Sequence, residues 1–342
     1  MKAAIIERHG PPESILITEK PMPLLKDTQV LVRVKACGIN HLDIWVRRGV
    51  AGHKFPLPMV PGSDITGIIE KTGVSTTRFN PGDRVIINPG ISCGSCMACL
   101  NCEEHLCSKG GLLGETTDGG CQEFIAVEEK QVYLLPPNLT FEQGACIPIN
   151  YVTAWQMLMK KAKIKSQESI LIHAAGSGVS IACIQIAKMV GLQVYVTSSS
   201  EEKLQRAKVL GAQRFICTAK ESFVEAIRNL TSKQGVDVVI DHVGGSTHMD
   251  SIRCLKRGGR LVSCGATAGG DITLNWRMVF FKNIALLGST YGTSQDFIEV
   301  LKKIEEKIFF PTLDQTMKLE DLSKAHTLIE NRKLFGKVAI AF

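Results

Sequence analysis

The segment from Ser169 to Lys203 places the strongest limit on how this chain can fold. Residues 169–175 form a short apolar run rich in β-branched residues, and the small residues Gly-Ser-Gly follow at 176–178. Residues 179–189 then carry apolar side chains at helical spacing, and 193–197 are a second apolar run. The pattern predicts a strand, a tight turn, a helix and a second strand, which together form a right-handed βαβ unit.

The turn of this unit is built from small residues, as a phosphate-binding turn requires. A helix N-terminus at this point presents backbone amides to a pyrophosphate, which explains the small side chains at 174–180. The glycine pattern is incomplete, because Ser180 stands where G-x-G-x-x-G has its third glycine, and plain connections of this kind also occur. The turn residues predicted to bind a dinucleotide are Gly176, Ser177, Gly178 and Val179.

Strands and helices continue to alternate after this unit. Further apolar strands are predicted at Arg214–Cys217, Val236–Asp241, Arg260–Cys264 and Ile284–Leu287. Helical patterns separate them at Glu201–Leu210, Ser222–Leu230 and Thr247–Leu255. This alternation predicts an α/β fold with a doubly wound parallel sheet, and it raises the weight of the dinucleotide-binding interpretation.

The end of the second strand distinguishes between the two nicotinamide cofactors. An NAD site usually has Asp or Glu here to accept a hydrogen bond from the ribose 2′-hydroxyl, but this chain has Thr197 followed by three serines. Hydroxyls and a nearby lysine suit a 2′-phosphate better. We therefore expect NADP(H) to be preferred over NAD(H), with Ser198, Ser199 and Lys203 as contacts. The serines also suit a helix cap before Glu201, and the two roles are compatible.

Length and charge exclude several classes of protein. The chain has 342 residues, which predicts two domains, and 44% of them are hydrophobic. Its net charge of +7 is scattered rather than clustered, so we expect no nucleic-acid partner. No window of eighteen apolar residues occurs, and charge interrupts residues 1–7 too early for a signal peptide. We expect a cytoplasmic protein without a membrane partner.

Four of the twelve cysteines form a cluster with metal-ligand spacing. Cys93, Cys96, Cys99 and Cys107 have the spacing C-x₂-C-x₂-C-x₇-C in a loop that also contains glycine and serine. Four thiolates with no open position are typical of a structural zinc site, which stabilises a loop and catalyses nothing. An iron–sulfur site or four unligated cysteines are the alternatives. The other eight cysteines are spread singly, as free thiols in a reducing compartment are.

The N-terminal third is rich in strands and turns. Strands are predicted at Lys2–Glu7, Ile15–Glu19 and Gln29–Ala36, with glycine and proline between them. Residues 37–44 (Cys-Gly-Ile-Asn-His-Leu-Asp-Ile) are predicted as a polar turn. Strands follow at Ile65–Glu70 and Val85–Asn88. A small β-rich domain is expected here.

The order of these motifs resembles a known superfamily. Residues 36–43, Pro61–Asp64, Pro81–Val85, the cysteine cluster and the βαβ unit occur in the order of the medium-chain dehydrogenases, which include zinc alcohol dehydrogenases and quinone oxidoreductases. The resemblance covers essentially the whole chain. It leaves Cys102 and His105 outside the zinc shell.

The resemblance implies a domain plan. A GroES-like catalytic domain is expected at 1–150, with its structural zinc lobe at 90–110. A Rossmann NADP-binding domain is expected at 151–290, and residues 291–342 return to the catalytic domain. A cleft between the domains, nicotinamide-dependent hydride transfer to or from a small-molecule substrate, and a homodimer or homotetramer are also implied. The edge strand near 284–289 is the expected dimer contact.

The resemblance also bears on catalytic zinc. Zinc alcohol dehydrogenases carry Cys, His and a third ligand at the positions held here by Asn40, Ser63 and Ile149, and none of the three is kept. Because an amide, a hydroxyl and an alkyl group cannot replace those ligands, we predict one zinc per chain rather than two. A relocated second site built from Cys37, His41, Asp43 and Asp64 is the alternative.

Without a Lewis acid, reduction is easier to support than alcohol oxidation. We therefore expect transfer of hydride to a small carbonyl compound, enone or quinone. By resemblance, Asn40 faces the nicotinamide and donates a hydrogen bond to the reacting oxygen. His41 and Tyr151 are the candidate proton donors, with packed or surface polar roles as alternatives. Thr153 corresponds to a family threonine near the cofactor.

Two further loops are expected at the cofactor. Their residues follow predicted parallel strands, at the edge where open α/β sheets bind ligands, and are His242, Val243, Gly265 and Ala266. Asp241 is predicted to be structural, and Lys337 to be a solvated lysine, with contact to the cofactor as the alternative. The rival functions are a zinc-dependent alcohol dehydrogenase acting on primary or secondary alcohols and a non-catalytic NADPH-binding sensor.

Overall fold

The computed structural model describes all residues from 1 to 342. Its strands are β1 (Lys2–Ile6), β2 (Ile15–Glu19), β3 (Gln29–Ile39), β4 (Asp64–Thr72), β5 (Arg84–Ile87), β6 (Gly90–Ile91), β7 (Gly111–Leu112), β8 (Phe124–Glu128), β9 (Val132–Leu134), β10 (Ser169–Ile172), β11 (Gln193–Ser198), β12 (Arg214–Cys217), β13 (Val236–Ile240), β14 (Leu255–Ser263), β15 (Ala285–Gly288), β16 (Leu313–Lys318) and β17 (Lys337–Ala341).

The α-helices are α1 (His41–Arg48), α2 (Met97–Leu100), α3 (Phe141–Gly144), α4 (Pro148–Trp155), α5 (Gly178–Val190), α6 (Glu201–Leu210), α7 (Phe223–Leu230), α8 (Thr247–Cys254), α9 (Trp276–Lys282), α10 (Ser294–Glu305) and α11 (Leu322–Glu330). A π-helical segment follows α4 at Gln156–Lys161. Short 3₁₀ turns lie at Pro12–Ser14, Glu104–Leu106, Glu129–Gln131 and Leu319–Asp321. None of the helices has both the length and the apolar character needed to cross a membrane.

The chain divides into two compact units. The first comprises Met1–Ile149, Thr293–Glu305 and Phe310–Phe342, and the second comprises Asn150–Gly292 and Glu306–Phe309. The C-terminal strand therefore belongs to the same unit as the N-terminal third of the chain.

The first unit is built on a mainly antiparallel sheet. Its strand order is β16-β17-β3-β4-β5-β9, and β8 also pairs with β3. Aliphatic side chains from these strands form one buried core, which includes Val32, Ile65, Ile69, Val85 and Ile340. Since β3 pairs with β17 on one side and with β4 on the other, the ends of three strands that are distant in sequence meet.

The predicted polar turn at 37–44 is wrong. Residues 37–39 extend β3, and α1 begins directly afterwards at His41. The Asp43 carboxylate accepts a hydrogen bond from the backbone N–H of Asn40 (2.7 Å), so an acidic residue in the first turn satisfies an amide that the helix leaves free. The polar residues that suggested a turn belong to the start of a helix.

The second unit confirms the predicted doubly wound sheet. All its neighbouring strands are parallel, in the order β12-β11-β10-β13-β14-β15. The chain reverses its direction of winding between β10 and β13, which is the switch point where such sheets bind ligands beyond their carboxyl ends. Side chains from both sheet faces are buried, with Leu171, Tyr195 and Val239 on one face and Ile170, Val194 and Val238 on the other. These strands could be predicted from the sequence because each is a short apolar run bounded by glycine or polar residues.

Candidate functional site

The four predicted zinc ligands lie together in the cysteine lobe, which we define as residues 90–112. Their Sγ atoms all lie within 4.8 Å of one another. The distances from Cys93 Sγ are 3.8 Å to Cys99 and 3.6 Å to Cys107, and Cys96 and Cys99 are 3.5 Å apart. A tetrahedral ion with Zn–S bonds of about 2.3 Å places its sulfurs about 3.8 Å apart. The donor set and its spacing therefore fit a structural zinc ion.

The local sequence explains why the lobe closes on itself. Strands β6 and β7 pair at its base, and Gly94 adopts a φ of +72°, which suits glycine. Hydrogen bonds from Ser95, the backbone N–H first and then the hydroxyl, lower the pKa of Cys93 to about 5. Cys102 is exposed and lies outside the group of four.

An ammonium group lies beside Asn40, one of the positions at which zinc alcohol dehydrogenases carry a zinc ligand. Lys337 Nζ donates to Asn40 Oδ1 (2.6 Å) and to Asp64 Oδ2 (2.8 Å). Asn40 Nδ2 donates to the same Asp64 oxygen (3.1 Å), which closes a triangle of three side chains. Only 6% of Asn40, 4% of Lys337 and none of Asp64 is exposed. We call these three residues the ammonium cluster.

Strand pairing assembles the ammonium cluster. Asn40 directly follows β3, Asp64 begins β4 opposite Gly38, and Lys337 begins β17 just before the pair formed by Val338 and Ile39. The prediction that Lys337 is solvated is wrong. Its side chain is buried because strand pairing places it against a buried carboxylate, and a buried ammonium needs such a partner.

The remaining positions of a second zinc site offer no ligand set. Ile149 contributes its backbone N–H, which donates to Asp64 Oδ1 (2.8 Å). The Ser63 hydroxyl is fully buried without a hydrogen-bond partner. Over residues 1–342 the four lobe cysteines are the one group of three or more His, Cys, Asp and Glu side chains with metal-ligand spacing.

The alternative site proposed from Cys37, His41, Asp43 and Asp64 is not assembled. Cys37 Sγ lies 3.8 Å from Cys121 Sγ in the core, and Asp43 accepts hydrogen bonds from the backbone of Asn40 and Gly62. Burial raises the pKa of Asp43 to about 6, against the opposing effect of these N–H groups and the charge of Lys337. These groups stabilise the start of α1 around the ammonium cluster.

The two candidate proton donors differ in their surroundings. His41 is half-buried at the first position of α1, and its ring meets Trp45 edge-on at 5.4 Å. Tyr151 is 1% exposed, its hydroxyl accepts a hydrogen bond from Gln185 (3.0 Å), and its ring packs against Phe309. Burial of this kind favours the packed role for Tyr151.

The phosphate-binding turn of the second unit has the expected close approach. Ala174 has a φ of +53°, and Ser177 is the N-cap of α5. A Cβ added to Gly178 would lie 2.2 Å from Asn150 Nδ2, so glycine is required there. Thr153 is buried on α4, immediately before the π-helical segment.

Ser180, in place of the third glycine, binds two other groups. Its hydroxyl donates to the backbone carbonyl of His173 (2.7 Å) and lies 2.8 Å from His242 Nε2. Since the hydroxyl proton is already donated, His242 Nε2–H is the donor in the second bond. Burial lowers the pKa of His242. Through the hydrogen bond to Ser180, its ring connects the end of β13 to α5. The imidazole of His242, a predicted cofactor contact, therefore forms its hydrogen bond within the protein.

A second buried chain of hydrogen bonds lies at the same sheet edge, and the sequence did not reveal it. His173 Nδ1 is 2.9 Å from Thr197 Oγ1, and its Nε2 is 2.9 Å from Ser251 Oγ. Ser251 donates onward to Asp241 Oδ2 (2.7 Å). Burial lowers the pKa of His173 to about 4, so its ring is neutral at pH 7. The one available signal was a histidine at the end of an apolar strand.

The loops after β13 and β14 run side by side. Ala268 N donates to Val243 O (2.7 Å), and Asp241 Oδ1 accepts from the backbone N–H groups of Val243 and Gly244. Asp241 thus has the structural role predicted for it, and a Cβ added to Gly244 would lie 2.8 Å from the Cα of Ala266 in the neighbouring loop.

The end of β11 is free of acidic side chains. Ser198 Oγ accepts from Ser200 N (3.1 Å), and Ser200 Oγ accepts from Lys203 N (3.4 Å) as the N-cap of α6. Ser199 is exposed between them. The first carboxylate, that of Glu201, is paired with Lys220.

Comparisons with known proteins agree with this architecture. The family described as alcohol dehydrogenase GroES-like domain matches residues 26–137, and the family described as zinc-binding dehydrogenase matches residues 178–306. The chain is 31% identical to quinone oxidoreductase of Sus scrofa over 99% of this chain and 97% of that protein. It is 30% identical to the NAD-dependent alcohol dehydrogenase of Saccharolobus solfataricus over 98% and 99%.

A solved structure described as an NAD-dependent alcohol dehydrogenase matches all of both chains with a TM-score of 0.96 and 39% identity. The sheet of the second unit, the GroES-like first unit and these similarities lead to the same assignment. The chain belongs to the medium-chain dehydrogenase/reductase superfamily of oxidoreductases.

Proposed function

We propose that this oxidoreductase uses NADP(H) to reduce a small carbonyl compound, enone or quinone, with one structural zinc ion and no catalytic metal. The ammonium cluster is the observation that carries this proposal. Lys337 Nζ lies within hydrogen-bond distance of Asn40 Oδ1 and Asp64 Oδ2, and Asn40, Ser63 and Ile149 do not offer the thiolate and imidazole ligands that a catalytic zinc ion needs. Because the Asp64 carboxylate is already paired with this ammonium group, the cluster favours a reaction without a second zinc ion.

Specific side chains are proposed for each part of the reaction. When bound, the reduced nicotinamide supplies a hydride. Backbone amides at the start of α5 bind its pyrophosphate, because a helix N-terminus favours anions. Asn40 orients the reacting groups, and His41 exchanges the proton. The proposed cofactor contacts are Asn40, Thr153, Gly176, Ser177, Gly178, Val179, Val243, Gly265 and Ala266, with His242 contributing through its backbone.

The preference for NADP(H) rests on the end of β11. The absence of a carboxylate among residues 197–200 removes the usual partner of the ribose 2′-hydroxyl, and Ser198, Ser199 and Lys203 provide donors for a 2′-phosphate. NAD(H) is the competing cofactor, because two of the similar proteins are described as NAD-dependent. Titration of the protein with NADPH and NADH, followed by fluorescence, should give a lower Kd for NADPH. Equal values, or tighter NADH binding, would reverse the preference.

Two measurements together test this proposal. They are the oxidation of NADPH with a panel of substrates and the zinc content of the protein. Purified protein should oxidise NADPH with at least one of a set of aldehydes, enones and quinones, and should contain one zinc per chain. Two zinc ions per chain with activity on primary or secondary alcohols would instead establish a zinc-dependent alcohol dehydrogenase. Tight NADPH binding with no turnover on any compound would establish a sensor.

We also propose a cytoplasmic homodimer, with a tetramer as the further possibility. β15 is an edge strand, and the neighbouring residues Trp276, Phe280 and Phe281 are 62%, 51% and 63% exposed. An exposed strand edge beside large apolar side chains suits pairing with a second copy. None of the twelve cysteines forms a disulfide, which suits a reducing compartment. Light scattering should give at least twice the mass of 37.3 kDa.

A further inference from the structure

We propose that a cleft in the second unit binds a small phosphate monoester whose organic part is apolar. Its volume of about 370 Å³ suits a small molecule. We call it the basic cleft, because four cations and no acidic residue line it, namely Arg228, Lys233, Arg253 and Lys282. This binding site is separate from the proposed reductase function and does not depend on it.

The basic cleft lies at the edge of the sheet opposite the cofactor loops. Gly235 and Cys254 line the cleft, and they directly precede β13 and β14. The loops predicted to contact the cofactor follow the same two strands at their other ends. Since the five residues of β13 span about 16 Å, a small ligand in the basic cleft does not reach those loops. The cleft is therefore a second site within the unit.

Two of the four cations have no counter-charge. Arg228 is exposed near the end of α7, Lys233 is exposed in the loop before β13, and neither forms an ion pair. Arg253 forms an ion pair with Asp250 on its own helix, which neutralises part of its charge. The basic cleft therefore has a positive potential that attracts anions.

Lys282 adds a third cation without a carboxylate partner. Its Nζ donates to the backbone carbonyls of Arg253 (3.2 Å) and Leu255 (2.7 Å), which leaves one N–H group for a ligand. Burial lowers the pKa of Lys282, and the charges of Arg228 and Arg257 act in the same direction. These cations repel one another, and an anion bound between them would offset the repulsion.

The loop that contains Lys233 is fixed in an unfavourable backbone conformation. Ser232 and Lys233 have φ values of +50° and +67°, a region that residues with a Cβ seldom adopt. The Lys233 N–H donates to the Arg228 carbonyl (2.6 Å), and the Gly235 N–H donates to Thr231 Oγ1 (2.9 Å). Such strain persists where the surrounding structure imposes it, and it is common at ligand sites. The loop thus holds Lys233 at the basic cleft before a ligand binds.

The floor of the basic cleft is apolar and indicates the second part of the ligand. Val224, Ile227, Cys254 and Met278 line it, and Ile227 and Cys254 are fully buried core residues. An aromatic or alkyl group would cover this floor, whereas an inorganic anion would leave it in contact with water. A phosphate monoester has a charge of about −1.5 to −2 at pH 7, so it matches three cations better than a carboxylate does.

The proposed dimer contact leaves the basic cleft open. Met278 and Lys282 line the cleft from α9, whereas Trp276 and Phe280 on the same helix are exposed. The two pairs are offset by two positions, which is about 200° around a helix. The exposed aromatic residues therefore lie on the side of α9 that faces away from the cleft.

Calorimetry with three simple probes tests the chemical class of the ligand. Phenyl phosphate should bind at least about tenfold more tightly than inorganic phosphate, because its ring covers the apolar floor. Benzoate, which has the ring but a single charge, should bind more weakly than phenyl phosphate. Equal affinities for phenyl phosphate and inorganic phosphate would remove the apolar part of the proposal. Benzoate binding as tight as that of phenyl phosphate would overturn the assignment to a phosphate.

A pair of variants tests the location of the site. Arg228→Gln combined with Lys233→Asn removes two exposed cations, and asparagine tolerates a positive φ. The affinity for phenyl phosphate should fall by at least about tenfold, because two of the three unpaired charges are lost. The Kd for NADPH and the melting temperature should not change. An unchanged affinity for phenyl phosphate would overturn the proposal.

The matched control removes the same charge from elsewhere in the second unit. Lys208, like Arg228, is the third residue from the end of its helix, and Lys163, like Lys233, is exposed with a positive φ (+51°). Lys208→Gln combined with Lys163→Asn should bind phenyl phosphate as wild type does. An equal loss of affinity in both double variants would mean a general attraction of anions to a basic surface, and would overturn the proposed site.

Discussion

The cysteine lobe and the ammonium cluster lie in the same unit, but the residues of the lobe are close in sequence and those of the cluster are far apart. The lobe gathers four thiols within fifteen residues at metal-ligand spacing. The cluster brings together one carboxylate, one amide and one ammonium from three strands, with Lys337 separated from Asn40 by 297 positions. The cysteine lobe is therefore a local feature of the sequence, whereas the ammonium cluster depends on the pairing of distant strands.

Removal of one zinc ligand from the cysteine lobe should have the largest effect. Cys99→Ser removes one of four ligands, so zinc should fall from one ion per chain toward none, and stability should fall by about 4 kcal/mol because loss of a metal is among the costliest changes. Elemental analysis and urea unfolding measure both quantities. Cys102→Ser is the matched control, because this exposed thiol lies outside the group, and it should keep its zinc. Retention of full zinc by Cys99→Ser would contradict the assigned ligand set.

In the ammonium cluster, removing both charges together should cost less stability than removing one charge alone. Asp64→Asn alone leaves a buried ammonium without its counter-charge and should cost about 3–5 kcal/mol. Adding Lys337→Met should recover a large part of this loss, since no unpaired charge remains. Urea unfolding of the two single variants and the double variant gives the coupling energy. A double variant as unstable as the sum of both singles would mean that the pair does not interact as described.

A buried histidine of the same unit sharpens the comparison, because it lacks the partner that Lys337 has. His326 is fully buried, neither ring nitrogen has a hydrogen-bond partner, and burial together with the charge of Arg47 lowers its pKa to about 3. The folded state therefore holds His326 neutral, whereas the unfolded chain takes up its proton near pH 6.5. Stability should fall as the pH drops below 6.5, by about 2 kcal/mol at pH 5 from this residue.

The pH prediction needs a control for the other titrating groups. His326→Leu should flatten the fall in stability between pH 6.5 and 5 relative to wild type, measured by urea unfolding at each pH. His53→Leu changes an exposed histidine and should leave the slope as it is. Parallel curves for wild type and His326→Leu would show that His326 does not carry the effect.

The smallest expected effect separates cofactor choice from the ammonium cluster. Ser199→Asp restores an acid near the end of β11 and should change the ratio of NADPH to NADH affinity by about tenfold toward NADH, because it repels a 2′-phosphate. The zinc content should stay at one ion per chain. Ser232→Asp places the same charge on an exposed loop of the same unit as a control. An unchanged ratio would remove Ser199 from the cofactor site.

Local patterns made much of the fold predictable. The parallel strands of the second unit were readable because each is a short apolar run between glycine-rich or polar turns, and the bounds of α6 agree at both ends. The cysteine lobe was readable because its ligands are close in sequence. For the same reason the incomplete glycine pattern at Ser180 was visible, although its hydrogen bonds to His173 and His242 were not.

The ammonium cluster could not be predicted in this way. A single lysine after glycine near the C-terminus has the composition of a solvated strand end, and its burial depends on the pairing of β17 with β3 and of β3 with β4. The start of α1 is harder to predict, because Asn and Asp, found here at 40 and 43, are also typical turn residues. Their spacing of three was a helix-start signal that the sequence did contain.

We propose that this chain holds one zinc ion and no catalytic metal, and anomalous scattering tests this proposal most directly. An anomalous-difference map collected at the zinc absorption edge, from crystals of active protein with NADP⁺, should show one peak per chain, inside the cysteine lobe. Density continuous with Lys337 should lie between Asn40 and Asp64. A second anomalous peak bonded to Asp64, with Lys337 turned away, would contradict the account.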